Sequence, residues 1–159
     1  MKNRFGQMAE NYQKKYGMDK KVIYKGICSG ATFTRVETEE RNLDYLVIET
    51  LLARMGKRAD GFESLLRQED GELWEKRLKI KLAMYEHRYI SMDKMLHEYR
   101  MNMPKNSKLH EQFCLYHEMK LAERGEKSID RVKVCSLAWQ ALRLTKKDGE
   151  AFQEKNNLY

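Results

Sequence analysis

Apolar residues recur at intervals of three or four positions through most of this chain of 159 residues. Proline, which breaks helices, occurs once, at Pro104. This spacing is the period of an amphipathic α-helix, and the many Leu, Met, Lys, Glu and Arg residues favour helices over strands. The sequence therefore predicts an all-α fold. We expect helices at about residues 4–16, 20–25, 30–38, 43–54, 61–66, 72–86, 91–101, 108–123 and 128–144.

Two Asp-Gly pairs, Asp60-Gly61 and Asp70-Gly71, mark a junction in the chain, because Asp-Gly favours turns. They predict an N-terminal domain over residues 1–60 and a C-terminal helical module over residues 71–159. In the module, two helix pairs follow one another at an offset of about 38 residues, with Pro104 between them. A tetratricopeptide repeat has about 34 residues. We therefore interpret the module as degenerate tetratricopeptide-like repeats that stack as helix pairs.

The spacing of apolar residues also predicts the buried face of the first two module helices. For the helix over residues 72–86, the predicted inner residues are Trp74, Leu78, Leu82 and Tyr85. For the helix over residues 91–101, they are Met92, Met95, Leu96 and Tyr99. At the far end of the module, Leu137, Ala138 and Leu142 are expected to remain available to a partner.

The segment from Lys20 to Glu37 contains two short helical patterns separated by Gly26. Ser29 is a good N-cap for the second pattern, in which Phe33 and Val36 fall on one helical face. Two short helices joined by a tight turn are typical of a helix-turn-helix, whose second helix enters the DNA major groove. This arrangement predicts a regulator and not an enzyme.

The run from Phe5 to about Gly56 resembles a lambda-repressor-like helix-turn-helix domain of the xenobiotic-response-element type. It is similar in particular to regulators whose turn reads Gly-Leu-Cys-Ser and whose next helix ends Arg-Ile-Glu. The corresponding segments here are Gly26-Ile27-Cys28-Ser29 and Arg35-Val36-Glu37, and Leu51–Gly56 resembles the closing segment of that domain. The resemblance implies a transcriptional regulator with tetratricopeptide-like repeats that sense a peptide. Such regulators usually carry further helix pairs, so a truncated form is one interpretation of this chain.

If Phe33 and Val36 face inward, then Gly30, Ala31, Thr34 and Arg35 face outward. The resemblance places Gly30, Ala31 and Arg35 where base-reading side chains are found. Arginine can donate two bonds to guanine, threonine can contact phosphates, and lysines at a helix start attract phosphate. The predicted DNA-contacting residues are Lys20, Lys21, Lys25, Ser29, Gly30, Ala31, Thr32, Thr34, Arg35 and Arg41.

One short helix reads few base pairs, so we expect a homodimer on double-stranded DNA. The net charge of +7 fits attraction to phosphates, although ordinary solubility explains it equally well. Glu39 and Glu40, after the second helix, would repel phosphate. The alternative is a protein-interaction adaptor, in which the repeats bind a protein and the N-terminal domain is structural and does not bind DNA.

His110, Cys114 and His117 share one face of a helix and carry ligand atoms that suit zinc. A single helix rarely completes a tetrahedral site, so we interpret these residues as a packing face and predict no metal. The sequence contains no Gly-Lys-Ser or Gly-Lys-Thr loop, no His-Glu-x-x-His and no Gly-x-Ser-x-Gly. We therefore expect no enzymatic activity and no cofactor.

The three cysteines, Cys28, Cys114 and Cys135, are odd in number and widely spaced, which favours reduced thiols. No apolar run approaches the roughly 20 residues of a membrane span. The first residues lack the apolar stretch of a signal peptide. These features predict a cytoplasmic protein with no membrane partner.

Overall fold

The computed structural model describes residues 4–38, 43–58, 68–124 and 129–146. Within these ranges the protein consists of eight α-helices and contains no strand, so the predicted all-α class is confirmed. The helices are α1 (Arg4–Tyr16), α2 (Lys20–Tyr24), α3 (Gly30–Glu37), α4 (Tyr45–Arg54), α5 (Gln68–Tyr85), α6 (Tyr89–Asn102), α7 (Lys108–Glu123) and α8 (Arg131–Arg143). The short helix expected at 61–66 lies outside the described residues.

The chain divides into two compact units, residues 1–67 and residues 68–159. The first unit contains α1 to α4 and the second contains α5 to α8. Helix α5 begins at Gln68, so Asp70-Gly71 lies inside this helix. The expectation that this Asp-Gly pair precedes the helix was therefore wrong, because a glycine within a long helix costs only about 1 kcal/mol relative to alanine.

Local capping explains where the helices of the first unit begin and end. The Asp19 carboxylate accepts a hydrogen bond from the Lys21 amide at 3.0 Å at the start of α2. The Ser29 hydroxyl accepts one from the Thr32 amide at 3.1 Å at the start of α3. After α1, the chain reverses at Gly17, whose φ of 61° favours glycine. These caps are encoded within a few residues, so the sequence predicts them well.

Phe33 of α3 lies at the centre of the first unit and is fully buried. Its ring packs edge-on against Phe5 of α1, with centroids 6.0 Å apart, and against Tyr24 of α2 at 5.3 Å. Helix α1 approaches α3 so closely that a Cβ atom at Gly6 would overlap the backbone of Glu37. The buried side chains of α4 complete this core: Tyr45, Ile48, Leu51 and Leu52.

In the second unit each helix packs against the next one along the chain, and the closest pairs are α5 with α6 and α7 with α8. The core of this unit consists of Ile80, Ala83, Met92, Leu96, Tyr99 and Cys114. The inner face predicted for α6 is confirmed, since Met92, Leu96 and Tyr99 are buried and Met95 packs against the same core.

Of the four inner residues predicted for α5, Trp74 is half-buried and the prediction for the other three was wrong. Leu78, Leu82 and Tyr85 are 42%, 51% and 75% exposed, whereas Arg77 and Ile80 are buried. Apolar residues occupy more than one side of this helix, and apolar spacing alone predicts that the stripe without a charged residue is buried. The helix instead buries the stripe that contains Arg77, whose aliphatic stem can pack among apolar groups. Among the described residues, no helix is long and apolar enough to cross a membrane.

Candidate nucleic-acid interface

Helix α3 buries one face and leaves the opposite face uncovered. Phe33 and Val36 are buried, as their spacing predicts, and Glu37 is buried beside them. Within α3, three of the side chains predicted to contact DNA are exposed: Ala31, Thr34 and Arg35. Arg35 is the only one of these three that is long and charged. The surface of α3 is therefore nearly flat, with one guanidinium projecting from it.

Gly30 begins α3 and is half-buried against α2. A Cβ atom at this position would lie 2.9 Å from the hydroxyl oxygen of Tyr24, which is too close for an ordinary contact. The same Tyr24 ring packs on Phe33. Glycine at this position therefore lets the end of α2 and the start of α3 approach each other.

Ser29 and Thr32 lie near each other at the first turn of α3, and their hydroxyl groups bond to each other. Besides capping the helix, the Ser29 hydroxyl donates a hydrogen bond to Thr32 Oγ1 at 2.9 Å. This pairing fixes both side chains at the N-terminal end of α3. Their placement stabilises the helix start directly.

Lys20 forms an ion pair that the sequence did not predict. Its Nζ lies 2.5 Å from Glu37 Oε2, across the 17 residues that separate α2 from the end of α3. The Glu37 side chain is 2% exposed and that of Lys20 is 39% exposed. The other oxygen of this carboxylate, Oε1, has no hydrogen-bond partner among the described residues. The Lys20 ammonium is thus the group that balances a buried charge.

Arg54, at the end of α4, holds the end of α2 in place. Its Nη1 donates to the carbonyl oxygens of Ile23 at 3.1 Å and Lys25 at 2.5 Å, with a longer contact to Val22 at 3.4 Å. Burial lowers the pKa of the Arg54 guanidinium, and the proximity of Cys28 opposes that shift. These carbonyls would otherwise be unsatisfied at a helix end. Arg54 therefore sets the position of the turn between α2 and α3.

The remaining predicted residues divide into two groups. Lys21 and Lys25 are exposed, on α2 and directly after it, and they accompany Arg35 as exposed cations of this segment. Asp19 is an exposed acid nearby, and its carboxylate is used as a helix cap. Arg41 lies outside the described residues. Within the described residues 19–38, three cations and one acid are therefore exposed.

The cluster considered for zinc is buried, in agreement with the packing face predicted for it. The Tyr99 hydroxyl forms a hydrogen bond with His110 Nδ1, and His117 Nδ1 lies 2.8 Å from the carbonyl oxygen of Phe113. Burial raises the pKa of the Cys114 thiol to about 12, so this thiol stays protonated and unreactive. In the part of the chain that the structure describes, no three His, Cys, Asp or Glu side chains form a group that could hold a metal ion.

The fold and this surface define the class: an all-α protein in which two short, capped helices carry exposed cations. No protein-family model matches the chain, and no curated protein or solved structure matches it. Any functional conclusion therefore depends on the residues and geometry of the chain.

Proposed function

We propose that this protein is a sequence-specific DNA-binding transcriptional regulator that places α3 in the major groove. The observation that carries this proposal is the division of α3 into two faces. One face is fixed in the core by Phe33 and Val36, and the other exposes Ala31, Thr34 and Arg35. A groove-reading helix needs this combination of an anchored side and a free side.

The small residues on α3 support a close approach to DNA. Ala31 and the half-buried Gly30 present little side-chain volume at the start of the helix. The helix backbone can therefore come near the base edges, and Arg35 can reach a guanine with two parallel hydrogen bonds. Thr34 is suited to a phosphate or to a thymine methyl group. In this arrangement Arg35 provides most of the sequence preference.

The phosphate contacts are assigned to Lys21 and Lys25, which are exposed on α2 and directly after it. Lys20 has a smaller part, because its ammonium balances Glu37. One such helix reads few base pairs, so the proposed unit on DNA is a homodimer. The second unit, with its consecutively packed helices, is proposed to bind a peptide or protein effector. The proposed activity is binding, without catalysis.

Selection of DNA fragments from a random pool, followed by a salt titration of the selected site, tests this proposal. We expect selected sites to share a motif and affinity to fall steeply with salt. Arg35→Ala should lose about 1–3 kcal/mol on the selected site and relax its sequence preference. Lys94→Ala, at an exposed lysine of α6 in the second unit, is the matched control. The proposal would be overturned if the selected fragments share no motif and Arg35→Ala binds them as tightly as the wild type does.

The second candidate function is a protein-interaction adaptor, and α8 is the observation that favours it. This helix has no fully buried residue, and it exposes Val132 at 81%, Trp139 at 41% and Leu142 at 41%. Exposed apolar residues on one helix are typical of a contact surface. An adaptor would bind a protein partner through this helix and show no DNA binding even at low salt, which the same titration measures.

A further inference from the structure

A cleft of about 330 Å³ opens in the second unit where α5 ends, α6 begins and α7 ends. Its first wall consists of Met84, Tyr85, His87 and Tyr89. This volume is at the small end of the range for ligand sites, which are usually apolar with a few convergent polar groups. The wall has that composition, since it combines a thioether and aromatic rings with hydroxyl and imidazole groups.

His87 has an unusual backbone conformation at this cleft. The Arg88 amide donates to the Ala83 carbonyl at 2.8 Å and the His87 amide donates to the Met84 carbonyl at 3.2 Å. This pair of bonds defines a helix ending in which the residue at position 87 is left-handed, a place that glycine usually occupies. His87 has a φ of 57° there.

Elsewhere in the described residues, the left-handed positions are occupied by glycine or asparagine: Gly17, Gly26, Gly56 and Asn106. Glycine enters this region without strain, and asparagine and histidine enter it more often than most other residues. The His87 side chain provides what a glycine cannot. Its Nδ1 lies 2.7 Å from the Tyr89 hydroxyl, so the strained position holds an imidazole and a phenol together at the cleft. A strained backbone that presents a side chain to a cavity suggests a functional site.

The opposite wall is cationic. Lys120 Nζ lies 2.8 Å from Glu123 Oε2, so this pair is close to neutral. Arg124, the residue after α7, adds a second cation to this wall. The cleft therefore combines aromatic and thioether surface with about one uncompensated positive charge. That combination suits a molecule with one negative charge and an apolar group.

We propose that this cleft binds a small amphipathic carboxylate. The carboxylate lies against Arg124, the cation of this wall that Glu123 does not balance, because a guanidinium pairs well with a carboxylate. The apolar or aromatic part of the ligand lies against Tyr85, Met84 and Tyr89. His87 positions the Tyr89 hydroxyl at the edge of the site. The cleft lies in the second unit, for which an effector is proposed above, and it contains none of the residues assigned to DNA contact.

Ligand-observed NMR with N-acetyl-phenylalanine, compared with the neutral N-acetyl-phenylalaninamide, tests the proposal on the full chain. The two probes have nearly the same shape and differ in charge. We expect the acid to bind with a Kd on the order of 1 mM, as is typical of ligands of this size. The amide should bind at least about tenfold more weakly. Equal binding of the two probes, or binding of neither, would overturn the proposal.

Two variants and a control locate the site. Arg124→Gln should remove the preference for the acid, while Lys94→Gln, on the exposed side of α6, should keep it. His87→Gly should weaken binding of the acid even though it relieves the backbone strain and leaves the melting temperature unchanged or raised. A preference that survives Arg124→Gln, or full binding by His87→Gly, would overturn the assignment. The affinity of these variants for the selected DNA site, measured in parallel, should not change. Failure of the cleft proposal is therefore distinguishable from failure of the proposed function.

Discussion

The ion pair between Lys20 and Glu37 predicts that Lys20 acts chiefly in folding. Lys20→Met removes the ammonium and keeps an apolar stem of similar length. It leaves the Glu37 carboxylate, 2% exposed, without its cation. A buried charge that loses its partner destabilises a protein by about 3–5 kcal/mol. Because Lys20 itself is partly exposed, we expect the lower figure, about 3 kcal/mol.

A loss of about 3 kcal/mol is large for a unit of this size, because small domains are stable by only about 5–15 kcal/mol. A change of 1 kcal/mol shifts the melting temperature of such a unit by at least about 4 °C. The first unit of Lys20→Met should therefore melt about 12 °C or more below that of the wild type. Lys21→Met, at the exposed neighbouring lysine, should change the melting temperature by less than about 3 °C.

The positions of the tryptophans let one experiment separate the two units. The chain has two tryptophans, Trp74 and Trp139, and both lie in the second unit. Far-UV circular dichroism follows helix loss in both units, whereas tryptophan fluorescence follows the second. Lys20→Met should lower the midpoint temperature of the transition that only circular dichroism detects. The midpoint temperature of the fluorescence transition should not change.

A second substitution distinguishes the lost charge balance from lost packing. Adding Glu37→Gln to Lys20→Met removes the uncompensated carboxylate, so the double variant should regain most of the lost stability. A Lys20→Met variant that melts within about 2 °C of the wild type would refute the stabilising role of the ion pair. A double variant that melts as low as Lys20→Met would refute it equally, because the uncompensated Glu37 charge would then not be the cause of the lost stability.

Three further predictions follow from single positions. Gly6→Ala should destabilise the first unit by about 1–2 kcal/mol in thermal melts, because its Cβ would overlap the Glu37 backbone. Gly71→Ala is the contrasting case: its Cβ would have no neighbour within 4 Å, so it should stabilise α5 by up to about 1 kcal/mol. Burial lowers the pKa of His117, so its contribution to stability is complete above about pH 6.5 and decreases below it, by at most about 1.4 kcal/mol per pH unit. Urea unfolding followed by tryptophan fluorescence should show this slope in the wild type and lose it in a folded His117→Gln variant. Ile80→Asp should unfold the second unit, as seen by loss of the fluorescence transition, whereas Leu82→Asp should change its stability by less than about 1 kcal/mol.

Local signals were sufficient for the presence of the eight described helices and for one face of α3. Ser29 caps the helix that follows it, and Phe33 and Val36 are inward, because each of these features depends on residues within one or two turns. The bounds of α1 and α7 were predicted for the same reason. The faces of α5 were not, since a charged residue inside the buried stripe reverses what apolar spacing alone indicates.

The contacts that organise the candidate interface join residues far apart in sequence. The Lys20 side chain reaches Glu37 across 17 residues, and Arg54 reaches the carbonyl of Lys25 across 29. The periodicity of a single helix does not predict such pairs, because these contacts form only when two helices pack together. The cleft at His87 is similar: the sequence contains its aromatic and cationic residues, but their convergence depends on how the ends of α5 and α7 pack near the start of α6.

The same ion pair makes a distinct prediction about the salt dependence of DNA binding. Each phosphate contact contributes about 0.9 to the slope of log affinity against log salt concentration. If Lys21 contacts a phosphate, Lys21→Met should flatten this slope by about 0.9 for each copy that binds. Lys20→Met, measured at a low temperature where circular dichroism shows a folded first unit, should leave the slope unchanged. In the wild type the Lys20 ammonium pairs with Glu37, so its removal takes away no phosphate contact. Equal flattening by both variants would mean that Lys20 leaves Glu37 to contact DNA, and no change with either would remove this end of α2 from the interface.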